Sequence, residues 1–324
     1  MSLRDPPDER SPAELLRFGV VNLDKPPGPS SHQVADWVRE FVTDALADAD
    51  DGGRRGQDTD DGPRTDQDTE FDRVAHAGTL DPKVTGSLPL MLGDATRLAQ
   101  VFDDATKGYV AVLELHGPVP SDFETIVSEF EGELYQKPPR KSAVRRRLRV
   151  REVYDLDILE RTERRALLSI RCESGTYVRK LCHDIGLALG TGAHMGDLRR
   201  IETGSFDDTD LVTMETFVDA LRFWVEDGEK EPLRSVVDPA ERTLVGLPRV
   251  YVAPSAAREI AEGAPVYAPG VIGVEPAQQG EKTPTQGELV ACFTPDESAV
   301  CLGRLVGDPD AESGMVVELE RVLV

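Results

Sequence analysis

Runs of β-forming residues set the limits on this fold, because they are short, numerous and not separated by helices at regular intervals. Val20–Leu23, Tyr109–Leu115, Arg149–Tyr154 and Leu167–Arg171 each have the length and the β-branched or aromatic content of a strand. Helical spacing is rarer. Val34, Trp37, Val38 and Phe41 stand at i, i+3, i+4 and i+7 behind Ser30 and Ser31, either of which offers an N-cap. Asp94 reads as the cap of a short helix carrying Leu98, Val101 and Phe102, and Val178, Leu181, Cys182, Ile185 and Leu189 define another. Such irregular alternation excludes a regular βαβ array and predicts a mixed α/β layer. No internal repeat points to a solenoid.

The texture changes after residue 230. Glu229–Pro239 is polar and proline-bearing, and a compact stretch begins after Leu247-Pro248. Arg249–Val252, Val271–Val274, Glu288–Phe293, Ser298–Leu305 and Met315–Val322 read as short strands, with one helix at Ser255–Glu262 stopped by Gly263. The expected division is therefore a first domain over 1–247 and a small β-barrel-like module over 248–324. A chain of 324 residues has room for both cores.

Charge narrows the function. Lys and Arg number 37 against 60 Asp and Glu, a formal net charge of −23, and only 8 of the 37 are Lys. Abundant carboxylates, few lysines and few aromatics suit a high-salt cytoplasm, where dense counterions screen self-repulsion. Against that background Lys137–Arg151 carries eight basic residues and no acidic one. A run that opposes the whole composition predicts a polyanion-contacting surface, with Lys137, Arg140, Lys141, Arg145, Arg146, Arg147 and Arg149 as its contact candidates. Pro138-Pro139 and the interleaved Val144, Leu148 and Val150 suggest an extended segment entering a strand with its basic face outward. Conversely, Asp44–Asp72 holds 11 acidic and 3 basic residues with almost nothing apolar, so 44–70 is expected to be a disordered insertion. Cys172, Cys182, Cys292 and Cys301 form no CxxC and the five histidines no HExxH, so neither a metal nor a disulfide framework is expected. No segment approaches a membrane span and the acidic, proline-bearing start is unlike a signal peptide, which predicts a cytoplasmic protein without membrane contact.

Chemistry centres on Asp81 in Gly78-Thr79-Leu80-Asp81-Pro82, a sharp loop in which Pro82 keeps Asp81 out of helical conformation. An aspartate in a turn ordinarily caps backbone. Its surroundings argue otherwise. HAGTLDPKVTGSL resembles the catalytic loop of the TruB/dyskerin family of RNA pseudouridine synthases, and KPPGPSS (25–31), KGY (107–109), SGTYVRKL (174–181) and DLRRIETGSF (197–206) follow in the family's order. QKPPRKSAVRRRLRVREVYDLDILE (136–160) is closer to the archaeal and eukaryotic dyskerin branch than to the bacterial stand-alone tRNA enzyme. The likeness runs from about Phe18 to Val324 and includes a tail similar to PUA RNA-binding domains; the acidic segment at 44–70 departs from the pattern.

The resemblance implies an α+β fold: a pseudouridine-synthase domain on a largely antiparallel sheet, followed by a PUA domain. It implies isomerisation of uridine to pseudouridine without a cofactor, with tRNA, rRNA, a box H/ACA guide RNA and small accessory proteins as partners. Asp81 matches the family nucleophile, acting on ribose or base or assisting glycal formation. Arg179 matches the arginine that pairs with it, and Tyr109 the tyrosine that stacks on the target base and can relay a proton. Tyr177 and Leu198 match pocket-lining residues, and His76 a histidine near the flipped nucleotide's backbone. Lys25, before a proline-rich turn, contacts phosphate or caps structure.

Overall fold

The structure is a computed structural model and describes residues 3–54, 71–138, 147–277 and 283–324. Its larger sheet contains β1 (Phe18–Lys25), β2 (Val74–His76), β3 (Thr85–Gly93), β4 (Lys107–Leu115), β5 (Gly132–Gln136), β6 (Arg149–Arg161), β7 (Arg165–Cys172), β8 (Ala193–Thr203), β9 (Phe206–Asp207) and β10 (Asp238–Pro239). The strand order is β10-β1-β3-β8-β4-β7-β6-β5, with β2 on β3 and β9 on β8. Every pairing is antiparallel except β3–β8, where Thr85 and Gly86 meet Arg199 and Arg200. The expectation of a largely antiparallel sheet holds. That one parallel step is a seam, and only glycine permits it at residue 86: a Cβ there would stand 2.1 Å from the carbonyl oxygen of Arg200.

Two cores lie on either side of the seam. One gathers Val21, Leu23, Leu88, Leu90 and Leu92 with helices α1 (Pro12–Arg17) and α2 (Ser31–Arg54). The other gathers Ala111, Leu113, Leu168 and Ile170 with α3 (Phe123–Ser128) and α4 (Val178–Ala188). Tyr109 and Leu198 pack against both.

The second module is a six-stranded sheet of β11 (Arg249–Val252), β12 (Val266–Tyr267), β13 (Val271–Glu275), β14 (Leu289–Phe293), β15 (Ala299–Leu305) and β16 (Met315–Val322), ordered β12-β16-β15-β14-β11-β13. Its helix Pro254–Ala261 ends at Gly263 with φ +97°, the left-handed stop that the sequence announces. The module's inner residues Ala291, Phe293, Ala299, Leu302 and Leu323 share one core with Phe18, Val20, Met91 and Phe206 of the first domain. The N-terminal segment closes this joint. Buried Arg10 forks onto Glu241 with two 2.7 Å bonds, and Glu241 also accepts from the backbone N–H of Ala299.

Three expectations are corrected. Residues 44–54 are the last turns of α2 rather than disordered, because Val42, Ala45 and Leu46 continue its buried stripe; 55–70 lie outside the described residues. Asp94 does not cap its 3₁₀ helix with its side chain, which pairs with Arg4 and Arg97 instead. The basic face at the start of β6 is not turned outward: Leu148 and Val150 are exposed, while Arg149 and Arg151 are half-buried and Arg151 pairs with Glu173 at 2.8 Å. All four cysteines are free and buried. Among the described residues no cluster could hold a metal, and no helix is long and apolar enough to cross a membrane.

Candidate active site

The Asp81 loop joins β2 to β3 and is held from below. Gly78 has φ +110°, so the turn requires glycine. The hydroxyl of Ser31, at the start of α2, both accepts from the N–H of Leu80 (2.8 Å) and donates to its carbonyl (3.2 Å). Lys25 spends its three donors on the carbonyls of Pro26, Pro82 and Val84 at 2.9–3.0 Å. It is fully buried and so makes no contact with RNA phosphate; of the two roles open to it in the sequence, the structural one holds. Burial lowers the pKa of Lys25, and the nearby Asp81 carboxylate works against that fall. KPPGPSS is thus a buttress that leaves a cation behind the carboxylate and the Asp81 side chain in the open.

Asp81 is met by Arg179 from the first turn of α4. Both side chains are about half exposed, at 55% and 54%, so the ion pair faces outward and is accessible to a substrate. Tyr177 is the N-cap residue of α4, and Gln136 at the end of β5 holds it: the Tyr177 N–H donates to Gln136 Oε1 at 2.8 Å. Half-buried Tyr109 and Leu198 stand at the seam, opposite Arg200 and Ala111 respectively. Half-buried His76 ends β2 at the root of the loop, its ring 4.9 Å from that of His32 at 89°. Burial, with His32 second, lowers the His76 pKa, so the ring is neutral at neutral pH.

A cavity of about 670 Å³ opens beside Arg179, lined among others by Lys137, Pro138, Lys180, His183, His194 and Met195. Of the basic run, Lys137 and Arg147 are exposed and Arg149 is half-buried; Arg140, Lys141, Arg145 and Arg146 lie outside the described residues.

Two buried cations under the site were not singled out from sequence. Arg200 is 1% exposed, donates to the carbonyls of Ser87 (2.7 Å) and Gly78 (3.2 Å), and stands opposite Tyr109 in the β4–β8 register. Lys107, at 4% exposure, has its pKa pushed down to about 7, first by burial and then by the Arg200 charge. The signal for Arg200 lay inside DLRRIETGSF, but composition places arginines at the surface and nothing in the letters separates the buried Arg200 from its half-buried neighbour Arg199.

Comparison with known proteins follows the geometry. Residues 67–122 match the TruB family pseudouridylate synthase (N terminal domain), 179–245 the tRNA pseudouridylate synthase B C-terminal domain, and 5–35 the DKCLD (NUC011) domain. A probable tRNA pseudouridine synthase B of Haloarcula marismortui is 60% identical over 324 residues, covering 100% of this chain and 94% of its own. Its counterpart in Pyrococcus abyssi is 40% identical over 98% of this chain and 87% of its own. Among solved structures, a Cbf5-Nop10-Gar1 complex matches with TM-score 0.83 at 38% identity, covering 100% of this chain and 90% of that one. An H/ACA RNP bound to a substrate RNA containing 2'-deoxyuridine matches with TM-score 0.82 at 36% identity, over 99% and 90%. This chain belongs to the TruB/dyskerin family of RNA pseudouridine synthases, on its archaeal box H/ACA branch.

Proposed function

We propose that this protein is the catalytic subunit of a box H/ACA guide ribonucleoprotein, isomerising chosen uridines of rRNA and acting on the tRNA T-arm as well, in the cytoplasm. The observation that carries this reading is the likeness over the whole chain to Cbf5 in its complex with Nop10 and Gar1, joined by the DKCLD match at 5–35. Its partners are then a guide RNA, the target RNA and small accessory proteins. The chemistry needs no external reactant. The C1′–N1 bond breaks, the base turns, a C1′–C5 bond forms, and the proton lost from C5 is balanced by one gained at N1.

Asp81 is the nucleophile at ribose or base, or the group that assists glycal formation. Arg179 orients its carboxylate and favours the ionised form. Tyr109 forms an aromatic wall for a uridine withdrawn from its stack and moves the proton; Tyr177 and Leu198 complete the pocket, and neutral His76 contacts the nucleotide backbone. Lys137, Arg147 and Arg149 hold phosphates. The module 248–324 grips the ACA end of the guide or the CCA end of tRNA and contributes positioning alone.

A second reading, a guide-independent tRNA enzyme, is favoured by the naming of the curated relatives as tRNA pseudouridine synthase B. One assay separates them: pseudouridine formation in rRNA fragments and in tRNA at molar potassium chloride, with and without guide RNA and accessory proteins. Guide-dependent rRNA modification is expected. Turnover on tRNA alone, with none on guided rRNA, would select the second reading.

A further inference from the structure

Arg10 and Arg200 are the largest fully buried side chains of the protein. Arg10 has a carboxylate partner, Glu241. Arg200 has none: among the described residues no acid forms an ion pair with it, and its charge acts on another cation, Lys107. A guanidinium buried without a counter-ion is costly unless its donors are used fully. Here two of them are spent on backbone carbonyls: Nε donates to Ser87 O on β3 and Nη2 to Gly78 O at the root of the Asp81 loop. Tyr109 and Arg200 are direct partners across the β4–β8 pair, so strand register sets the guanidinium beside the tyrosine. Under Gly78 the fit is close: a Cβ at that position would stand 3.5 Å from Arg200 Nη1 and 3.8 Å from Lys107 Cε.

We propose that Arg200 is a positioning residue for the isomerisation, one planar fork that pins the Asp81 loop while its charge stands beside Tyr109. The consequence for Tyr109 is electrostatic. Burial raises the Tyr109 pKa, and the Arg200 charge opposes that rise, which eases loss of the phenolic proton. For Asp81 the consequence is spatial. The loop is pinned at Gly78 by Arg200 and beyond Asp81 by Lys25, so the carboxylate stands on a span fixed at both ends. Lysine at position 200 would keep a charge but lose the planar fork that reaches two carbonyls on separate segments.

This inference rests on the roles given above to Asp81 and Tyr109. The test is single-turnover pseudouridine formation at saturating RNA, on the full chain with its guide and accessory proteins. Arg200→Lys and Arg200→Gln are compared with Asp81→Asn, Tyr109→Phe and the Arg200→Lys/Tyr109→Phe double variant. RNA affinity and thermal midpoint are measured alongside, so that rates are taken only where each protein is folded. Arg200→Lys is expected to slow the chemical step by about 10–100-fold, the effect of ångström-scale misplacement of reacting groups, with RNA affinity unchanged. Its penalty should shrink in the Tyr109→Phe background, because part of it passes through the placement of the charge beside the hydroxyl. The rate of Arg200→Gln should rise with pH later than that of the wild type, since there the phenol loses its neighbouring cation. Arg200→Gln repeats the test where the lysine variant does not fold. A wild-type rate and pH profile in a folded variant, or penalties that multiply fully with Tyr109→Phe, would overturn the inference. Full turnover by Asp81→Asn would instead overturn the roles on which it rests.

Discussion

Arg10→Met should unfasten the joint between the two modules, and the size of the effect follows from what it strands. Arg10 and Glu241 are 1% and 9% exposed at the side chain and share two 2.7 Å bonds. Removing the arginine leaves a buried carboxylate with one remaining donor, the N–H of Ala299 at 3.1 Å. Breaking one side of such a pair costs about 3–5 kcal/mol, against about 0–1 for an exposed pair. Arg10→Met/Glu241→Gln should recover most of this loss, because the amide still accepts from Ala299 and no charge is left unpaired. Urea unfolding in 0.2 M and 2 M potassium chloride, followed by far-UV circular dichroism, measures both. Because the pair is buried, salt should not rescue the single variant. The same joint contains the shared core of Phe18, Met91, Phe293 and Leu302, so the module 248–324 should loosen together with the first domain and not melt alone. A single variant that loses less than about 1 kcal/mol at both salts would refute the reasoning, since that is the range of an exposed pair.

Other outcomes follow from the site. Asp81→Asn should abolish pseudouridine formation while leaving RNA affinity intact and stability changed by less than about 1 kcal/mol, because its partner Arg179 is half exposed; mass-spectrometric product analysis and a binding titration check this. Gln at Lys137, Arg147 and Arg149 together should weaken RNA binding across sequences and reduce the log–log salt slope by about 2–3. Lys107→Met should stabilise the protein near neutral pH. In the wild type the folded Lys107 pKa is about 7, below the unfolded value of 10.5, so the unfolded state binds more protons between those limits and stability rises with pH. The gain from Met should therefore be largest below pH 7 and fade toward pH 10, read from urea midpoints across that range.

Much of this was legible in the letters, and the exceptions share a cause. Strands β4, β6 and β7 and helix α4 announce themselves because one face is apolar and the period is clean. Thr85–Gly93 (TGSLPLMLG) does not, since a strand buried along nearly its whole length has no alternation to read and carries a proline and two glycines. Ala193–Thr203 is equally silent: its charged residues Arg199 and Arg200 read as surface, yet one pairs with Asp24 across the seam and the other is buried. Among the named strands of the large sheet these two make the parallel pairing, with Leu198 on β8 and Tyr109 beside it on β4. In the site, Asp81, Arg179 and Tyr109 were visible as motifs, whereas Lys25 could not be placed. Its letter reports a charge, and only the three carbonyls around its Nζ show that the charge points inward.

The burial of these cations resolves a tension in the composition. A chain of net charge −23 has to hold a polyanion, and at 1 M salt exposed charges are screened within about 3 Å. Phosphate contacts by exposed Lys137 and Arg147 therefore weaken steeply as salt rises. The buried cations beneath the Asp81 loop escape this. Lys25, Lys107 and Arg200 are 0%, 4% and 1% exposed, and each is held by backbone carbonyls that no ion can displace without opening the core. Their field at the Asp81 loop and Tyr109 is a property of the fold rather than of the solvent. The protein can thus carry an acidic surface that stays hydrated in brine while buried side chains hold the Asp81 loop in place.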